Sequence, residues 1–187
     1  ARVSGVRNRV STPESWIPTP AKRIPMKNIA LIFPGQGAQY VGMGEDFYQS
    51  SPDAKRVFDL TAEIIQHDFL NVVFKGPEET LRLTAFSQPA IVTTSLAALA
   101  ALRADPKFQG AAVKFMAGLS LGEYSAVAAS GALPLEETIR LIQKRARFME
   151  EATKLNAGKM AAIIGLDAGK IREICEETGA EVANFNS

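Results

Sequence analysis

The chain has 187 residues, 47% of them hydrophobic, which is enough to bury a core and excludes a disordered or fibrous protein. A formal net charge of +1 argues against nucleic acid as the main partner, and the single cysteine, Cys175, excludes an internal disulfide and fits a reducing compartment. The neutral total hides an asymmetry. Residues 1–27 carry six basic side chains against one acid, four prolines and no apolar periodicity, so this segment is expected to be a disordered leader. Being Arg-rich and poor in acids, it has some character of an organellar transit peptide; the plainer expectation is upstream sequence before Met26.

In chain order, Asn28–Phe33 is a short apolar run ended by Pro34-Gly35 and is predicted to be a strand. Phe33-Pro34-Gly35-Gln36-Gly37-Ala38-Gln39 follows, a glycine-bracketed glutamine at the strand's carboxyl end, where open α/β sheets bind ligands. No G-K-[ST] follows, so it is not a phosphate loop. Ser51-Pro52-Asp53 supplies an N-cap, a first-turn proline and a first-turn acid for a helix reaching about His67. Gly76-Pro77-Glu78-Glu79 opens a shorter helix. Ser87-Gln88-Pro89 leads into a third, apolar nearly all round to Leu102, which implies burial. Its most apolar stretch, Ala90–Leu102, is broken by Thr93-Thr94-Ser95 and is too short to span a membrane.

Val113–Ala117 reads as a buried strand, and Gly118-Leu119-Ser120-Leu121-Gly122 has the form of a nucleophile elbow, G-x-S-x-G, before a small-residue helix from Glu123 to Ser130. Flanking glycines let the backbones close around a strained central residue. The helix start aims N–H groups and positive dipole at the Ser120 hydroxyl, which suits a serine that attacks an acyl carbonyl; the plainer alternative is a glycine-flanked turn. A helix over 136–153 follows. On its wheel Ile139, Leu141, Ile142, Ala146, Phe148, Met149 and Ala152 share an apolar arc, and Arg145 falls near the middle of it, while Arg140, Lys144 and Arg147 face the other way. A guanidinium there is costly unless something anionic meets it, either a carboxylate elsewhere in the fold or the carboxylate of a substrate, or unless it snorkels past its apolar neighbours; the wheel does not choose.

After Gly158 the pattern restarts: Met160–Leu166 as strand, Ala168–Thr178 as helix, Glu181–Phe185 as strand. Cys175 shares a helical face with Ile171, Ile174 and Thr178 and is expected to pack. Strands alternating with helices imply an α/β fold with a largely parallel sheet covered by helices on both faces. No metal-ligand cluster is evident in the sequence.

Taken together, the 33–39 loop with Val41-Gly42-Met43-Gly44, Ser87-Gln88-Pro89-Ala90, Gly118-Leu119-Ser120-Leu121-Gly122-Glu123-Tyr124, Lys144-Arg145, Gly158–Ala162 and Asn184–Ser187 resemble, in this order, malonyl-CoA:acyl carrier protein transacylases. The resemblance runs from about residue 28 to the end. It implies an α/β-hydrolase-like large subdomain (here 28–156) and the opening of a ferredoxin-like small subdomain (157–187). It implies that Ser120 is the nucleophile, that the backbone N–H groups of Gln36 and Leu121 form the oxyanion hole, and that Arg145 binds the free carboxylate of malonyl. Gln88 is implied near the substrate. The partners implied are malonyl-CoA and an acyl carrier protein, with no membrane, no nucleic acid, no metal and no cofactor beyond the coenzyme A thioester. The site implied is cytoplasmic, or mitochondrial or plastid should residues 1–25 be a transit peptide.

Leu119 stands where many members carry histidine. More consequential is the base: the family's catalytic histidine lies downstream, and His67, the one histidine of this sequence, sits at the end of the first helix. The chain is therefore expected to be an N-terminal portion with poor activity alone. A serine esterase, a polyketide synthase acyltransferase domain and a non-catalytic carrier-binding remnant are the rival readings.

Overall fold

The computed structural model describes residues 28–108, 111–155 and 158–185, so the expected leader over residues 1–27 lies outside the described residues. Two strands, β1 (Ile29–Phe33) and β2 (Val113–Gly118), pair in parallel, with Phe33 opposite Gly118 at their carboxyl ends. Between them run α1 (Glu45–Ser50), α2 (Pro52–Ile65), α3 (Phe69–Lys75), α4 (Glu78–Arg82) and α5 (Thr84–Ala104). Three more follow β2: α6 (Leu121–Ala129), α7 (Leu135–Leu155) and α8 (Ala168–Thr178).

Local chemistry accounts for most of these boundaries. The Ser51 hydroxyl accepts the N–H of Ala54 at 3.3 Å ahead of Pro52 and Asp53, which fixes the start of α2. The helix stops at Ile65, two residues short of His67, because Gln66, His67 and Asp68 all take positive φ. Its buried residues, Ala54, Val57, Phe58, Thr61 and Ile65, recur at three- and four-residue steps and face α5. α5 begins a turn earlier than Ser87-Gln88-Pro89 suggested. The N–H groups of Phe86 and Ser87 both bond Leu83 O, closing a first turn before Pro89 interrupts the ladder.

α5 is the hub of the packing, flanked by α2, α6 and α7 and buried on most of its surface between Ser87 and Leu99. At 21 residues the whole helix, longer than its most apolar stretch Ala90–Leu102, is long and apolar enough, by length and composition alone, to cross a membrane. Here the helix is the centre of a packed core instead.

Two expectations need correction. Helices cover one face of the sheet among the described residues, where α6 lies across both strands. A crossover connecting two adjacent parallel strands places its helices on one side, and α6 returns to that same side. Ala30, Ile32, Phe115 and Ala117 point the other way and are exposed. The stretches predicted as strands over 160–166 and 181–185 contain no strand. Their apolar residues are exposed, and an extended segment becomes a strand only with a neighbouring ladder to take its N–H and C=O groups. α8 forms where expected, capped by Asp167 and ended by Gly179 with φ 72°, but buries none of its residues. Cys175 is accordingly half-buried rather than packed in a core.

Candidate active site

Ser120 occupies the turn between β2 and α6 with φ 52° and ψ −96°, a conformation that costs a non-glycine residue roughly 1–3 kcal/mol. The glycines around it are required by contact. A Cβ on Gly118 would lie 2.0 Å from the carbonyl carbon of Gly122, and one on Gly122 would lie 2.3 Å from Phe33 O. The start of α6 is thus pressed against the end of β1. Gly35 follows the same logic, since its Cβ would fall 2.9 Å from Leu119 O. These close approaches bring the 33–39 loop alongside the elbow.

Leu121 directly follows Ser120 and Gln36 follows Gly35 in the adjoining loop, and neither of their N–H groups is used in the turn and loop bonds of the backbone. Leu121 is the first residue of α6, where N–H groups have no intrahelical acceptor. The Gln36 side chain donates to Ser87 Oγ at 3.4 Å and accepts from Gln88 Nε2 at 3.4 Å. Gln88 is fully buried on α5, and its Nε2 also reaches the Met149 sulfur at 3.2 Å. Its carbonyl oxygen is buried without a partner.

Arg145 comes in from α7. Its Nη2 donates to Ser120 Oγ at 2.9 Å, and its guanidinium lies over the Tyr124 ring at 5.5 Å from the centroid. Nη1 is buried and unpaired, and among the described residues no carboxylate forms an ion pair with Arg145. Of the two partners the wheel left open, an internal carboxylate is not the one found. A half-buried cation with one nitrogen on a serine hydroxyl and another left over is an acceptor site for an anion. Tyr124, Leu141, Lys144, Arg145, Phe148 and Met149 wall an open groove of about 380 Å³ beside it.

The apolar arc of α7 divides accordingly. Ile139, Ile142 and Ala146 are buried in the core, whereas Leu141, Phe148 and Met149 are partly exposed along the groove. Tyr124, Ser87 and Met149 appear in the sequence only within motifs or on the apolar arc, and were given no role at the site; Tyr124 lies one helical turn after the elbow serine on the same small-residue helix. His67 lies exposed in the turn between α2 and α3 and takes no part in the contacts around Ser120.

A serine at a strained strand-to-helix turn, with the 33–39 loop alongside and a cation on its hydroxyl, is an arrangement that suits acyl transfer. The chain belongs to the acyl transferase domain family, which it matches over residues 30–184. It is similar to the malonyl CoA-acyl carrier protein transacylase of Bacillus subtilis, with 41% identity over 166 residues, covering 86% of this chain and 51% of that protein. Among solved structures, the malonyl CoA-acyl carrier protein transacylase of Coxiella burnetii superimposes with a TM-score of 0.72 and 38% identity, over 82% of this chain and 47% of its own. A malonyl-transacylase solved in complex with a type II PKS acyl-carrier protein matches with a TM-score of 0.67 and 35% identity, over 80% and 48%. The chain spans about half the length of the relatives it matches.

Proposed function

We propose that the protein carrying this chain transfers a malonyl group from malonyl-CoA to the phosphopantetheine thiol of an acyl carrier protein through an ester on Ser120. The observation that carries the reading is Arg145: its guanidinium reaches the hydroxyl of the elbow serine and keeps a second, buried nitrogen free of any internal acid. A malonyl group esterified to Ser120 ends in a carboxylate, and the cation beside the hydroxyl is placed to receive it.

In the first half-reaction Ser120 Oγ adds to the thioester carbonyl and loses its proton to a base. The oxyanion is held by the N–H groups of Gln36 and Leu121, the C–S bond breaks, and coenzyme A leaves as the thiol. In the second, the carrier thiol adds to the ester carbonyl, the C–O bond breaks and Ser120 recovers its proton. His67 is not placed to act as the base, so the isolated chain is expected to acylate slowly. An acyl group without the carboxylate leaves a half-buried guanidinium nitrogen unpaired, a larger penalty than a missing methylene.

The test is mass detection of acyl-Ser120 after incubation with malonyl-CoA, acetyl-CoA or a neutral ester. Malonyl adducts that fall about 100-fold in Arg145→Ala, with acetyl and ester adducts little changed, support the reading. An ester preference indifferent to Arg145 makes this an esterase-like site. Fast malonyl turnover by the isolated chain overturns the expectation of slow acylation.

A further inference from the structure

Arg145 is held at two points of one helical turn. Its Nη2 donates to Ser120 Oγ at 2.9 Å, and its guanidinium carbon stands over the Tyr124 ring, 5.5 Å from the centroid. Ser120 caps α6 and Tyr124 lies one turn further along the same helix. The approach of Gly122 to Phe33 O presses that turn against β1, so hydroxyl and ring are both registered against the sheet. On its other side the guanidinium meets an open groove of apolar side chains and a second cation, Lys144, which repels it. Among the described residues no carboxylate pairs with Arg145.

We infer that Tyr124 is a positioning residue for Arg145. The negative face of the ring attracts the guanidinium without accepting any of its N–H groups, so the cation is held while its charge and its donors stay available. An internal carboxylate in the same place would hold it too, but would occupy the fork that an incoming carboxylate needs. An aliphatic residue there would leave a long side chain to be ordered at each binding event, a cost the ring removes in advance. The phenol hydroxyl has no hydrogen bond among the described residues, so the role falls to the ring. The inference rests on reading Arg145 as the anion-binding cation, and it adds the group that keeps that cation beside Ser120.

The probe is malonate, its affinity read by titration calorimetry. Tyr124→Phe keeps the ring and binds malonate as the wild type does, whereas Tyr124→Leu weakens binding about threefold or more. Tyr124 also packs against the core, so a second series separates ring charge from ring volume. Phenylalanine carrying successively more ring fluorines at position 124 withdraws charge from the face at nearly constant shape, and malonate affinity falls at each step. A flat fluorine series, or Tyr124→Leu that binds as the wild type does, overturns the inference. Should Tyr124→Leu fail to fold, the fluorinated proteins decide alone. Wild-type protein that ignores malonate sinks the malonyl reading, yet the Arg145 Nε–Hε resonance still decides this one. It moves as fluorines are added and holds in Tyr124→Phe if the ring faces the guanidinium; a resonance indifferent to the ring overturns the inference.

Discussion

Ser120 sits in a conformation that glycine tolerates and serine does not, and the surrounding contacts hold it there. Gly118 and Gly122 close to within 2.0 Å of where a side chain would begin, and Gly122 abuts the last carbonyl of β1. The strain is therefore imposed by packing rather than relieved by it. Comparing Ser120→Gly with Ser120→Ala isolates the backbone, since both lose the hydroxyl and its bond to Arg145. Ser120→Gly is expected to be more stable than Ser120→Ala by about 1 kcal/mol or more in urea unfolding, after allowance for the added freedom of glycine in the unfolded chain. Equal stabilities would mean that the turn stores no strain. The elbow was legible in the sequence because glycine spacing records steric demand directly. Arg145 was legible as an anomaly on a wheel, but its partner was not. The pairing of a buried amide on α5 with a thioether on α7, 61 residues apart, leaves no mark on either local pattern.

At the scale of elements, sequence signals worked where a single residue performs a local task. Ser51, Pro52 and Asp53 place α2 as expected, and α8 spans the expected Ala168–Thr178, bounded by Asp167 and Gly179. α1 and α3 escaped notice because they are six and seven residues long and have no side-chain cap, Gly44 and Asp68 preceding them in the left-handed region. The arc on α7 was read correctly as apolar, yet its partners divide it between core and groove, which periodicity does not encode. Between α2 and α5 the core holds a polar chain: Thr93 Oγ1 donates to Thr61 Oγ1 at 3.0 Å, and Thr61 Oγ1 donates to Val57 O at 2.9 Å. Both threonines are fully buried. Thr61→Val strands the Thr93 hydroxyl and should cost about 1–3 kcal/mol, while Thr93→Val leaves Thr61 its bond to Val57 and should cost less. The double variant is expected to be more stable than Thr61→Val alone. A double variant that loses the sum of the two singles would show that the hydroxyl pair is not coupled.

For the molecule as a whole, the decisive feature is the open side of the sheet. Ile32 is 80% exposed and Phe115 73% exposed, on adjacent strands and on the same face with Ala30 and Ala117. The alternation of residues along β1 and β2 gave no warning, because strands destined for cover on both sides and strands covered on one read alike when the outward positions are apolar. The outer edges of β1 and β2 are also unpaired among the described residues, so apolar area and free backbone groups coincide. The isolated chain is therefore expected to self-associate as its concentration rises. Ile32→Lys combined with Phe115→Glu places opposite charges on that face and should shift sedimentation toward monomer. Because neither side chain contributes to the core, the thermal unfolding midpoint should move little, a change within about 0.5 kcal/mol. Association that persists unchanged in the double variant would transfer the cause elsewhere, first to the apolar groove of α7, where Leu141 and Phe148 can be tested by the same measurement. A wild-type chain that stays monomeric at high concentration would mean that the bare face is not sticky despite its composition, and the expectation would fall with it.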